Sequence, residues 1–144
     1  MKKVAKLLFA AVALILAAGC ATGPKFSEMQ ATIKPLAAGQ GRVYVYRDSS
    51  FGAAITPKVA INGKVVGVSR ANGFFYADLP AGDYRLAAET EVERSITFTL
   101  AAGESKYVKA SISFGFVAGR INFDLVNAAA GQQDLQSLAY SPEL

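Results

Sequence analysis

The chain has 144 residues, 52% hydrophobic and 18% charged, with 15 Lys and Arg against 11 Asp and Glu. That length fits one domain, and 13 Gly with 5 Pro is too few for a collagen-like or low-complexity chain. With no His and a single Cys, a histidine-based catalytic triad is excluded, as is a zinc site built from His or several Cys.

The first stretch has the layout of a secretory signal. Lys2, Lys3 and Lys6 precede an uncharged apolar run over residues 7–18, and Gly19-Cys20 follows. The run is too short to span a bilayer as a helix. Without residues 1–19, twelve Lys and Arg face eleven Asp and Glu, so no basic footprint for nucleic acid remains. The segment Leu16-Ala17-Ala18-Gly19-Cys20 resembles the lipobox of bacterial lipoproteins. That resemblance implies that Cys20 becomes the first mature residue, with a diacylglyceryl thioether and an N-acyl chain. Ala17 stands where the class usually has Leu. The alternative is an ordinary signal peptide that leaves a thiol at position 20. Ala21, not Asp, follows the Cys, which by resemblance to sorted lipoproteins implies the outer membrane and a domain facing the periplasm. With Cys20 used for the anchor, no disulfide is available, and stability must come from a hydrophobic core.

Residues 20–40 read as the lipidated Cys and a tether of about twenty residues. Within it Ser27-Glu28-Met29-Gln30 fits a capping box, Ser27 being the N-cap, and Pro35 ends the short helical turn. From Gly41 the period becomes two. Residues 42–47 (RVYVYR) read as a strand. Asn62-Gly63 between apolar runs predicts a type I′ hairpin, with Ile61 facing Lys64 and Val59 facing Val66. Strands follow over 74–79, 84–91, 95–100, 106–113 and 120–126, the last with Ile121, Phe123 and Leu125 on one face. Residues 132–139 are predicted to close the chain with a short helix burying Leu135, Leu138 and Ala139. The fold class is therefore all-β: a small antiparallel β-sandwich of about eight strands over residues 41–144. It carries a short N-terminal helical turn, a short C-terminal helix and a cleaved signal helix over 1–19.

Several segments together resemble an uncharacterised family of bacterial envelope lipoproteins, domain of unknown function 2846. They are residues 41–47 (GRVYVYR), 57–67 (PKVAINGKVVG), 73–76 (GFFY), 78–84 (DLPAGDY) and 115–120 (GFVAGR). The Leu-Pro-Ala-Gly-Asp-Tyr turn is also similar to one in surface β-sandwich modules named after a Pro-Glu-Gly-Ala motif. The resemblance implies a lipid-anchored β-domain and carries over no catalytic residue.

Three sets of side chains are candidate sites. Glu89, Glu91 and Glu93 would share one face of a continuous strand, but calcium needs six or more oxygens and a glycosidase pair needs a cleft. A charged edge or hairpin tip explains them better. Tyr44, Tyr46 and Tyr76 could stack on sugar rings if they project outward; otherwise the tether or terminal helix covers them. Phe51 and Ile55 in one loop, and Phe114 and Phe116 in another, are too apolar for ordinary loops, and they either dock a partner or plug the sandwich ends. No Ser-x-x-Lys, Walker or dinucleotide motif is present, so no enzyme activity and no cofactor or metal is expected. The expected function is that of a non-catalytic envelope lipoprotein. It would be bound to the membrane by its lipid and to an unknown envelope protein by Phe51, Ile55, Phe114 and Phe116. The alternative is a glycan or peptidoglycan module using the tyrosines.

Overall fold

The computed structural model describes residues 20–142 together with Met1. The expected signal peptide lies outside the described residues, Met1 apart. Among the described residues nine strands form two sheets. They are β1 (Gln40–Arg47), β2 (Lys58–Ile61), β3 (Lys64–Val68), β4 (Gly73–Pro80), β5 (Gly82–Glu89), β6 (Glu93–Leu100), β7 (Ser105–Ser113), β8 (Arg120–Val126) and β9 (Ala139–Tyr140). One sheet runs β8-β7-β1-β4-β9 and the other β3-β2-β5-β6. Two short helices, α1 (Phe26–Met29) and α2 (Ala128–Leu135), flank them, and a 3₁₀ turn (Gln30–Thr32) follows α1.

The alternation in β1 explains the layering. Val43 and Val45 enter the core between the sheets, with Val59, Leu86, Phe98, Val108 and Ile121. Tyr44 and Tyr46 enter a second core on the outer face, with Phe26, Phe74, Tyr107, Leu135 and Leu138. A central strand buried on both faces needs apolar residues at every position, which is why residues 43–46 are uninterrupted. The mixed character of the five-stranded sheet corrects the expectation of a purely antiparallel sandwich. β1 is antiparallel to β4 but parallel to β7, and the short β9 is parallel to β4. Such pairs join segments distant in sequence and leave no local turn signature.

The Asn62-Gly63 turn has positive φ at both residues, 48° and 81°, as a type I′ hairpin requires. Ile61 faces Lys64 as expected, but a bulge between Val59 and Ala60 moves Val59 opposite Gly67 instead of Val66. Gly67 lies against the Phe75 ring, where a Cβ would come within 2.6 Å of a ring carbon. Val66 still packs partly against the core, so the bulge changes the register and keeps the buried face. In β8, Ile121 and Phe123 are buried while Leu125 is exposed.

Residues 20–40 lie on the domain rather than swinging from it. The Ala21 amide donates to Ala71 O at 3.1 Å and the Phe26 amide to Leu138 O at 3.0 Å, while Lys25 bridges Ala139. Burying Phe26 against Tyr44 and Phe74 contributes about 1.5–3 kcal/mol, enough to hold a short segment down. The helix starts two residues earlier than the sequence predicts. Its N-cap is Lys25, whose amide donates to Glu28 Oε2 at 2.9 Å, so Glu28 rather than Gln30 closes the cap. The C-terminal helix is also earlier, capped by Asn127 Oδ1 accepting from the Ala130 amide at 2.9 Å. Leu135 and Leu138 are buried as expected, but Ala139 belongs to β9.

Candidate functional site: the apolar end of the sandwich

β1 ends on Arg47, a fully buried arginine that shapes the next loop. Its Nη1 donates to Ile55 O at 2.8 Å and its Nη2 to Gly52 O at 3.2 Å, while Nε has no hydrogen-bond partner among the described residues. Burial pushes its pKa below the ordinary arginine value. Loop 48–57 is braced further by the Asn72 amide nitrogen donating to Ser50 Oγ at 2.7 Å. Gly52, at φ +68°, packs on Ile112. These contacts hold Phe51 and Ile55 at one end of the sandwich.

The loop between β7 and β8 is held by Glu91, one of three alternating carboxylates that the sequence reads as a charged edge or hairpin tip. The hairpin tip is what the structure has. Glu89 and Glu93 pair across the β5–β6 hairpin, and Glu91 sits in its tip. There its carboxylate accepts the amides of Val117 at 2.9 Å, Phe116 at 3.1 Å and Ala118 at 3.3 Å, and Arg120 Nε at 2.5 Å. The Val117 amide, the Arg120 guanidinium and the two other amides together bring its pKa down to about 2. Alternation could not reveal this, because its partners lie on a loop of the other sheet.

The two loops converge. The Phe51 and Phe114 rings meet edge-on, 5.1 Å between centroids, and an open groove of about 330 Å³ runs between the loops, lined by Phe51, Ile55, Ile112, Phe114 and Val117. Phe51 is 47% exposed, Phe114 86%, Phe116 95% and Val117 93%, while Ile55 is half-buried in the groove wall. The Arg120 guanidinium lies 5.5 Å from the Phe116 ring centroid. Three of the four apolar loop residues singled out from the sequence, Phe51, Ile55 and Phe114, therefore meet at one groove with Val117, while Phe116 projects from the same loop as Phe114.

The tyrosines have a different placement. Tyr44 is 7% exposed and Tyr46 1%. Tyr44 stacks on Tyr107 at 5.2 Å and meets Phe26 edge-on, and the Tyr46 hydroxyl donates to Asp134 Oδ2 at 2.8 Å. Tyr76 is half-buried between Tyr140 and the Arg42 guanidinium, which lies 4.6 Å from its ring centroid. The faces a sugar would need are covered by residues 21–40, α2 and β9. Arg42, unremarked in the sequence beyond its place in the strand, is buried and bidentate to Asp78 at 2.6 and 2.7 Å, with a third bond to Lys34 O. It ties the tether to β1 and β4.

Cys20 bridges Ala71 just ahead of β4. Among the described residues no group of three or more His, Cys, Asp or Glu could hold a metal ion, and no helix is long and apolar enough to cross a membrane.

The sequence profile described as "Protein of unknown function (DUF2846)" matches residues 37–120, from three residues before β1 to the first residue of β8. The chain belongs to the DUF2846 family. The matched span of this DUF2846 domain includes both apolar loops and Glu91, and leaves out α1, α2 and β9. An uncharacterized protein of Haemophilus influenzae is 31% identical over 132 residues, covering 88% of this chain and 78% of that protein. No solved structure matches.

Proposed function

We propose that this DUF2846 protein is an exported lipoprotein, acylated at Cys20 and held at the outer membrane with its domain in the periplasm. Its β-domain is a non-catalytic binding module whose working surface is the apolar end. What carries the reading is the convergence of Phe51, Ile55 and Phe114 from two loops far apart in sequence, with Phe116 exposed beside them on the second loop. Aromatic residues projecting from braced loops are the composition of a contact surface, and a monomer rarely leaves such a patch open without use. The lipid supplies attachment, at about 0.8 kcal/mol per buried methylene, and the loops supply a second contact surface. The covered tyrosines favour this end over the glycan alternative.

Fractionation tests the reading. The native protein is expected in the outer membrane fraction, released only by detergent, and Cys20→Ser is expected as a folded soluble protein of the periplasm. Native protein that is soluble without detergent contradicts it.

A further inference from the structure

We infer that the end carrying Phe51, Phe114, Phe116 and Val117 is seated in the headgroup region of the bilayer that holds the Cys20 lipid. The inference rests on the acylation proposed above and names the lipid surface as the occupant of the apolar end.

The strand register places the anchor and the loops together. Phe74 of β4, Tyr46 of β1 and Lys109 of β7 lie at one level. Ala71, which bridges Cys20, is three residues before Phe74. Because β4 runs opposite to β1 and β7, the start of β4 at Gly73, opposite Arg47, lies at the end toward which β7 runs to Ser113. Asn72, between Ala71 and Gly73, donates to Ser50 Oγ at 2.7 Å, and the neighbouring Phe51 ring meets Phe114, so the Cys20 bridge and the apolar loops share this end of the sheet.

No slack separates the lipid from that end. The Ala21 amide is already bonded to Ala71, and Lys25 and Phe26 are docked on the domain. An acylated Cys20 then holds the apolar end against the membrane surface, leaving no spacer into which another folded protein would fit.

The loop chemistry suits lipid. Backbone donors left unsatisfied are costly in an apolar medium, and the Phe116, Val117 and Ala118 amides are satisfied by Glu91. Arg120 balances the Glu91 charge at 2.5 Å. The large side chains exposed on this loop are Phe114, Phe116 and Val117, residues that bury favourably at the headgroup–acyl boundary.

The chain contains no Trp, so Phe116→Trp provides a sole indole. The acylated processed protein carrying it is placed in phosphatidylethanolamine–phosphatidylglycerol vesicles, alongside an Ala102→Trp control in the β6–β7 turn at the opposite end. The expected result is a blue-shifted emission at position 116 that is quenched by lipids brominated on their acyl chains, with water-like, unquenched emission at position 102. Water-like emission at position 116 in vesicle-bound protein overturns the seating while leaving the anchor intact. So does a photo-crosslinker at 116 that captures an envelope protein and no lipid in cells. A native Cys20 shown by mass to carry no lipid overturns the anchor and the seating together.

Discussion

The Glu91 carboxylate accepts Arg120 Nε at 2.5 Å, joining the hairpin tip of the four-stranded sheet to the start of β8 in the five-stranded sheet. The same carboxylate caps three consecutive amides of the loop that displays Phe116 and Val117. One side chain thus fixes the shape of the most exposed apolar segment of the described domain.

This clasp is sensitive to acid, and the sign follows from its pKa. The folded value of about 2 lies below the ordinary 4.5. The stabilisation is therefore complete above about 4.5 and is lost as pH falls through about 2. The Val117 amide resonance is expected to titrate with a midpoint near 2, and Glu91→Gln to abolish that titration. A midpoint near 4.5 would show that the carboxylate is not held by the loop. The readout must be local, because Glu104 is also held below its usual range by Lys106 and the Ala101 amide.

Arg47→Met leaves the Gly52 and Ile55 carbonyls without their buried donor. A buried polar group left unsatisfied costs about 1–3 kcal/mol, so urea denaturation is expected to show a loss of that size. The Phe51–Phe114 contact loosens with it. A variant as stable as the native protein would mean that loop 48–57 is held by other contacts.

Gly131→Ala opposes two rules. Ala at a helical position is ordinarily about 1 kcal/mol better than Gly, and Gly131 lies in α2. A methyl there would run into Cβ and Cγ of Tyr107, and overpacking a core costs about 1–3 kcal/mol. Packing wins, and the variant is expected to melt lower than the native protein. A higher melting temperature would place α2 off the sheet.

Tyr44→Ala and Phe114→Ser separate core from surface. Removing a buried aromatic ring costs about 3–5 kcal/mol, and Tyr44 lies under Phe26 against Tyr107. Phe114 is exposed apart from its edge contact with Phe51, so its replacement is expected within about 0.5 kcal/mol of native stability. Equal losses in the two variants by chemical denaturation would contradict the assignment of inside and outside.

What the sequence discloses is local. The strands of β1, β6 and β8 follow from alternation, and Asn62-Gly63 fixes a hairpin, because each signal sits within a few residues. The bulge that puts Val59 opposite Gly67 escapes, since one unpaired residue leaves the apolar pattern almost unchanged. Arg42 and Arg47 read as the polar limits of a strand, yet both are buried. Their partners, Asp78 on β4 and the carbonyls of loop 48–57, are set by tertiary pairing. The apolar loops stand out by composition alone, whereas their convergence depends on the parallel pairing of β1 with β7, which no turn announces. The charged hairpin tip that carries Glu91 is legible, but its clasp on residues 116–120 is not, because those partners belong to the other sheet.

Intact mass spectrometry of the protein extracted from its native membrane tests the central claim most directly. A chain that starts at Cys20 and carries a diacylglyceryl thioether and an N-acyl chain is predicted. A chain that starts at another residue, or whose Cys20 bears no lipid, would contradict it.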